Sequence, residues 1–150
     1  MRHRGYSIDI VDWKPGNDTA LAEIRRAVFV REQGVSEAEE WDGLDPQCVH
    51  ALARDSNGTP VGCGRLLPDG RIGRMAVLRG WRGCGMGAAL LRSLLEVARA
   101  RGGPRPFLHA QEHAIGFYRR LGFVARGPRF LDAGIAHREM VLACWPRSCG

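Results

Sequence analysis

The sequence predicts one α+β domain, a mixed α/β sandwich whose central sheet is mostly antiparallel and carries helices on both faces. Three observations lead there. Two strand-like runs flank an Asn57-Gly58 pair, so the first half reads as hairpins. The second half alternates helix, strand, helix, strand, strand, the pattern of a layered sheet. The 150 residues, 45% hydrophobic and 25% charged, suit a single core, so the domain is expected to span 1–150.

Ile8 to Val11 reads as a first strand. Asp18 is placed to cap a helix on which Leu21, Ile24, Val28 and Phe29 recur at helical spacing, and Gly34 ends it. Ser36 and Glu39 match a capping box for a further short turn. Val49 to Arg54 and Val61 to Leu67 form a hairpin about residues 56–59, and Pro68-Asp69-Gly70 turns the chain into a third strand, Arg71 to Val77. After a glycine-rich turn, Leu91, Leu94, Leu95 and Ala98 mark one face of a long helix that stops at Gly102-Gly103. Phe107 to Ala110 is a strand, Ala114 to Leu121 a helix, and two closing strands follow, one from Phe123 and one from Ala136 to Leu142, separated by Gly127-Pro128.

Composition narrows the function. No apolar run approaches the ~20 residues of a membrane span, and the first residues lead into no apolar signal core, so a soluble, cytoplasmic protein without membrane contact is expected. Five cysteines, without zinc-knuckle spacing, read as reduced thiols. The net charge of +6 comes from arginines scattered along the chain, with no basic run or reading motif, so nucleic acid is not expected as a partner. Against that basic background, residues 32–45 hold Glu32, Glu37, Glu39, Glu40, Asp42 and Asp45 with no Lys or Arg, either a solvated loop or the wall of a site for a cationic ligand.

Trp81-Arg82-Gly83-Cys84-Gly85-Met86-Gly87 joins a strand to the long helix, where backbone N–H groups lack intrahelical partners and attract an anion. Its glycines let a diphosphate approach the backbone, and Arg79 and Arg82 add charge-assisted hydrogen bonds. In a chain with 20 glycines such a motif says little alone. Its placement says more: there is no G-K-[ST] phosphate loop, and the preceding hairpins are not a Rossmann unit.

The strand Ile72 to Val77, the Arg82-x-x-Gly85-x-Gly87 turn and the block from Ala114 to Phe123, in this order and spacing, resemble the GCN5-related N-acetyltransferase (GNAT) family from about Ile8 to Leu142. The resemblance implies acetyl coenzyme A as co-substrate, held by the backbone of Met75, Ala76 and Val77 and by Arg79, Arg82, Gly83, Cys84, Gly85, Met86, Gly87 and Ala88. It implies direct transfer of the acetyl group to a primary amine of a small molecule or, less favoured, a peptide. Tyr118 would touch the coenzyme and protonate the leaving thiolate, because a phenol of pKa ~10 can donate to a thiolate of pKa ~8.5. An aromatic on an amphipathic helix is equally well placed for core packing.

Many relatives carry a glutamate base near the start of the strand, where this chain has Arg71. Glu32, Asp42 and Asp45, acting through water or as amine anchors, are the substitute candidates. His137 aligns with a histidine of a similar small-molecule branch and is placed to face the acceptor. His109-Ala110-Gln111-Glu112-His113 matches an inverted zinc-peptidase motif, but its histidines are expected on different elements, so no metal is expected. Two alternatives stay open: an acyltransferase like the acyl-homoserine-lactone synthases, which share the fold, and a non-catalytic acyl-CoA-binding module. Acceptor identity and oligomeric state, monomer or homodimer, are not legible.

Overall fold

The computed structural model describes residues 2–3 and 5–145. The elements run β1 (Arg2–His3), β2 (Tyr6–Val11), α1 (Asn17–Arg25), a π-helical segment (Arg26–Glu32), α2 (Glu37–Glu40), β3 (Val49–Asp55), β4 (Pro60–Leu66), β5 (Arg71–Val77), α3 (Met86–Arg101), β6 (Phe107–Gln111), α4 (Ile115–Arg120), β7 (Phe123–Asp132) and β8 (Ile135–Leu142). Among the described residues the sheet has eight strands in the order β1-β2-β3-β4-β5-β6-β8-β7. Every pairing is antiparallel except β5 with β6, which the crossover through α3 makes parallel.

Strand alternation divides the core between two faces. Ala51, Ala53 and Val61 pack beneath Leu90, Leu91 and Leu94 of α3, while Leu52 and Cys63 point the other way onto Leu21, Ile24 and Val28. The helices therefore sit on both faces, as predicted. α3 lies close because β4 presents glycine: a Cβ on Gly62 would stand 2.7 Å from Met86 Sδ and 3.1 Å from Leu90 Cδ1.

One irregularity shapes the site. The β4–β5 register slips between Cys63↔Ala76 and Arg65↔Gly73, so Arg74 and Met75 together face the single residue Gly64. Without this bulge Ile72 and Ala76 would share a face; with it, Ile72 joins the α3 core and Ala76 the α1 core. Arg74 takes the left-handed conformation there, at φ 50°, and its guanidinium is held by Glu40 and Asp42.

The structure corrects several local expectations. Gly16, not Asp18, precedes the first turn of α1, and Asp18 instead accepts hydrogen bonds from the Gly16 and Thr19 amides. Gly127-Pro128 does not separate two strands: it lies within the ten-residue β7 at a register shift, and the reversal falls at Ala133-Gly134, both at positive φ. The Ser36 cap holds, with Glu39 N–H donating to Ser36 Oγ at 3.1 Å. Cys48, Cys63 and Cys84 are free thiols, whereas Cys144 is disulfide-bonded, against the expectation of reduced cysteines; Cys149 lies outside the described residues. No helix among the described residues is long and apolar enough to cross a membrane.

Candidate active site

The glycine turn folds as its residue types require. Gly83 and Gly85 adopt φ 81° and 87°, the left-handed region where a Cβ is strained, and Gly85 caps α3 without a side-chain hydrogen bond. The amides of Met86, Gly87 and Ala88, in the first turn of α3, are left without intrahelical acceptors. A Cβ at Gly83 or Gly85 would meet nothing within 4 Å, so the space over the turn is open. Cys84 is exposed, its Sγ donating to the Trp81 carbonyl at 2.9 Å.

A cleft of about 790 Å³ runs along the sheet and reaches the turn at Arg82; Arg79 and residues 83–88 do not line it. It exists because β5 and β6 pair only at Arg71↔Phe107 and Ile72↔Leu108; beyond that β6 stays with β8 while β5 follows β4. The β6-facing backbone edge of Met75, Ala76 and Val77 is thereby left without a strand partner, and all three residues line the cleft. A free strand edge continuing to a helix N-terminus suits an extended ligand with amides at one end and a diphosphate at the other, which is the form of coenzyme A.

Tyr118 also lines the cleft, on α4. Its ring packs edge-on against Phe117 and Phe123, and only 9% of the residue is exposed. Among the described residues its hydroxyl has no hydrogen-bond partner, and burial pushes its pKa up to about 12. Packing and an available hydroxyl are thus compatible in one residue.

The acidic stretch is neither a solvated loop nor wholly a cleft wall. Arg25, 1% exposed, donates to Glu40 Oε2 at 2.8 Å and to Asp45 Oδ1 at 2.7 Å. Arg65 bonds the same Asp45 oxygen at 2.9 Å and grips Asp42 with both terminal nitrogens, and Arg74 pairs with Glu40 at 3.0 Å. Trp41 lies against Arg25, 4.8 Å from ring centroid to guanidinium carbon. Burial alone would raise the carboxyls of Asp42 and Asp45, but their arginine partners outweigh it and hold both below the ordinary carboxylate range. Neither aspartate lines the cleft, and both are committed to guanidinium partners.

Glu32 does reach the cleft, because the wide π-helical turn carries Val28, Phe29, Glu32 and Gln33 to its wall. Its carboxylate is held by Arg82 through two bonds of 2.7 and 2.9 Å, with Arg79 farther off at 3.8 Å; the Arg82 hydrogen bond lowers its pKa. Arg82 Nε also donates to the Val77 carbonyl at 2.9 Å, linking turn and strand. Gln33 and Gln111 exchange hydrogen bonds of 3.4 and 2.9 Å between the π-helical segment and β6.

His137 is buried and lines the cleft from β8, opposite Gln111 at the end of β6, stacked on Phe130, with Nδ1 2.7 Å from the Ile135 carbonyl. A carbonyl only accepts, so Nδ1 carries the proton and Nε2 keeps its lone pair in the neutral ring. His109 on β6 lies 3.4 Å from Glu139, whereas His113 follows on a 3₁₀ turn and bonds Gln111 at 2.7 Å. The two imidazoles thus have separate partners. Metal analysis of the purified protein should give well under one zinc per chain, and stoichiometric zinc lost in His109→Ala would overturn that expectation.

Comparison with known proteins agrees with this architecture. An acetyltransferase (GNAT) domain model matches residues 26–144. YjcF of Bacillus subtilis, described as an uncharacterized N-acetyltransferase, is 40% identical over 123 residues, covering 79% of this chain and 86% of that protein. Among solved structures, an acyl-CoA N-acyltransferase from Pseudomonas aeruginosa superposes with a TM-score of 0.79 at 31% identity, covering 91% of this chain and 97% of the other. ElaA from Escherichia coli gives 0.79 at 25% identity, over 90% and 98%.

Proposed function

The chain belongs to the GNAT acetyltransferase family and is an acyl-CoA-dependent N-acyltransferase, and from that premise we propose that it transfers the acetyl group of acetyl coenzyme A directly to a primary amine of a small molecule, with Tyr118 as general acid. The observation that carries this reading is the cleft itself, lined by a strand edge that has no strand partner and by a buried phenol whose hydroxyl has no partner among the described residues, with an uncapped helix N-terminus just beyond Arg82.

Acetyl coenzyme A supplies the thioester. The amides of Gly83 to Ala88 face its diphosphate, the edge of Met75, Ala76 and Val77 receives its amide-bearing arm, and an amide near Val77 polarises the carbonyl oxygen. The amine attacks the carbonyl carbon, the carbon–sulfur bond breaks, and Tyr118 gives its proton to the sulfur. For the amine proton, Asp42 and Asp45 are held by Arg25 and Arg65, and Glu32 by Arg82, which favours His137, whose Nε2 lone pair is available at the cleft. Glu32 then has a different role: it orients Arg82 at the phosphate end.

Thiol release from acetyl coenzyme A across a panel of amines, aminoglycosides and peptides tests the activity; no release with any acceptor would overturn it. The phosphate end has its own test. Gly85→Val puts a β-branched side chain at φ 87° and over the open face of the turn, and should weaken coenzyme binding about tenfold or more while the fold persists. Unchanged affinity in a folded variant would remove the turn from the site.

A further inference from the structure

Within that acyltransferase reading, we infer that the acceptor is an amine that also carries a carboxylate, and that Arg71 binds that carboxylate and so sets acceptor specificity.

Most of the charged groups lining the cleft are already paired. Arg82 is closed on Glu32, and Arg74 is closed on Glu40 and Asp42. Glu40 is held by Arg25 as well, and Glu39 is hydrogen-bonded to Ser36 Oγ. The remaining cleft carboxylate, Asp132, is exposed near the end of β7. Arg71, partly exposed like Arg74, differs from the other two cleft arginines in one respect: among the described residues it has no carboxylate oxygen within 4 Å. A cleft arginine without a carboxylate partner keeps its N–H donors available to an anionic ligand.

Its position fits an acceptor rather than the coenzyme. Arg71 begins β5, six residues before Val77, at the point where β5 and β6 are still paired, and so at the opposite end of the strand from the glycine turn. Alternation along β6 and β8 puts His109 and His137 on the face away from Leu108, Ala110, Met140 and Leu142, which belong to the α3 core. Burial, and next the charge of Arg71, hold His109 below its ordinary pKa, which keeps its imidazole neutral near pH 7 and Arg71 as the local cation. Phe130 packs against both histidines, edge-on to His109 at 5.1 Å and stacked on His137 at 5.9 Å between ring centroids, and so fixes the two imidazoles that line the cleft. A single guanidinium offers two parallel N–H donors, which match the two oxygens of a carboxylate; a phosphate would call for further cations or a helix terminus.

The test uses acetyl coenzyme A with matched acceptor pairs, amino acids and their carboxamides, comparing kcat/KM calculated on the neutral amine. The wild type should prefer the carboxylate member by about 10- to 100-fold, the worth of a hydrogen bond between charged groups. Arg71→Gln should abolish that preference through KM, with coenzyme affinity and melting temperature unchanged, and Arg71→Lys should restore part of it. Equal use of both members by the wild type, or a preference that survives in Arg71→Gln, overturns the inference. If no acceptor is acetylated, the acyltransferase reading has failed on its own account. Calorimetric titration of the same pairs into the protein with coenzyme A then decides the anchor: carboxylate binding lost in Arg71→Gln upholds it, and no carboxylate binding overturns it.

Discussion

Tyr118→Phe is expected to turn over at about one hundredth of the wild-type kcat or less at pH 7, with little change in coenzyme affinity. The substitution keeps the ring that packs between Phe117 and Phe123 and removes only a hydroxyl that has no protein partner among the described residues. The melting temperature should therefore hold, since the ring packing is kept. A residue serving packing alone predicts normal turnover in the same variant. The raised pKa of about 12 adds a second measurement. A proton donor fails as pH rises through its pKa, so loss of activity from ionisation of Tyr118 should come only above about pH 10, where an ordinary phenol would already be half ionised. Wild-type kcat in Tyr118→Phe, measured where chemistry limits the rate, would leave water as the donor.

Arg25→Ala should destabilise the fold by about 3–5 kcal/mol, the usual result of removing one partner from a buried ion network, and lower the melting temperature by roughly 10 °C. Three hydrogen bonds are lost, to Glu40 Oε2, Asp45 Oδ1 and the Glu40 carbonyl, and a large buried side chain leaves a void beside Trp13 and Trp41. Arg74 alone is then left to compensate the Glu40 carboxylate. Since Glu40 and Arg74 line the cleft, acceptor KM should suffer in whatever fraction stays folded. A loss below 1 kcal/mol in urea denaturation would mean that the network contributes little.

The same network predicts acid sensitivity. Asp42 and Asp45 have depressed pKa values in the folded state, so their contribution is complete above the unfolded value of about 4 and is lost as pH falls through the folded values. His50, buried with Nε2 3.0 Å from the Asp45 carbonyl, has a lowered pKa, chiefly from burial. The unfolded chain takes up that proton first, so stability should begin to fall below about pH 6.5.

Much of the fold was legible because its signals are local. Asn57-Gly58 turns a hairpin, Gly85 and Gly102 bound α3 in left-handed conformations, and Leu91 and Leu94 mark the buried face between them. The strand, turn and later aromatic block sufficed for the family because their order and spacing lie along the chain. The bulge at Arg74, the π-helical turn and the continuity of β7 through Gly127-Pro128 were not legible, since each answers to a neighbouring strand or to packing.

The site divides in the same way. The sequence by itself determined the family, the position of the glycine turn and the presence of an acidic stretch. Only the tertiary structure decided that Asp42 and Asp45 turn inward to Arg65 and Arg25, that Glu32 closes on Arg82 fifty residues away, that Ile135 sets the His137 tautomer, and that Arg71 has no carboxylate beside it among the described residues. The reason is physical: a charged side chain has the same local signature whether it is solvated or buried. What settles its role is the partner that folding brings within about 3 Å, and no sequence period carries that distance.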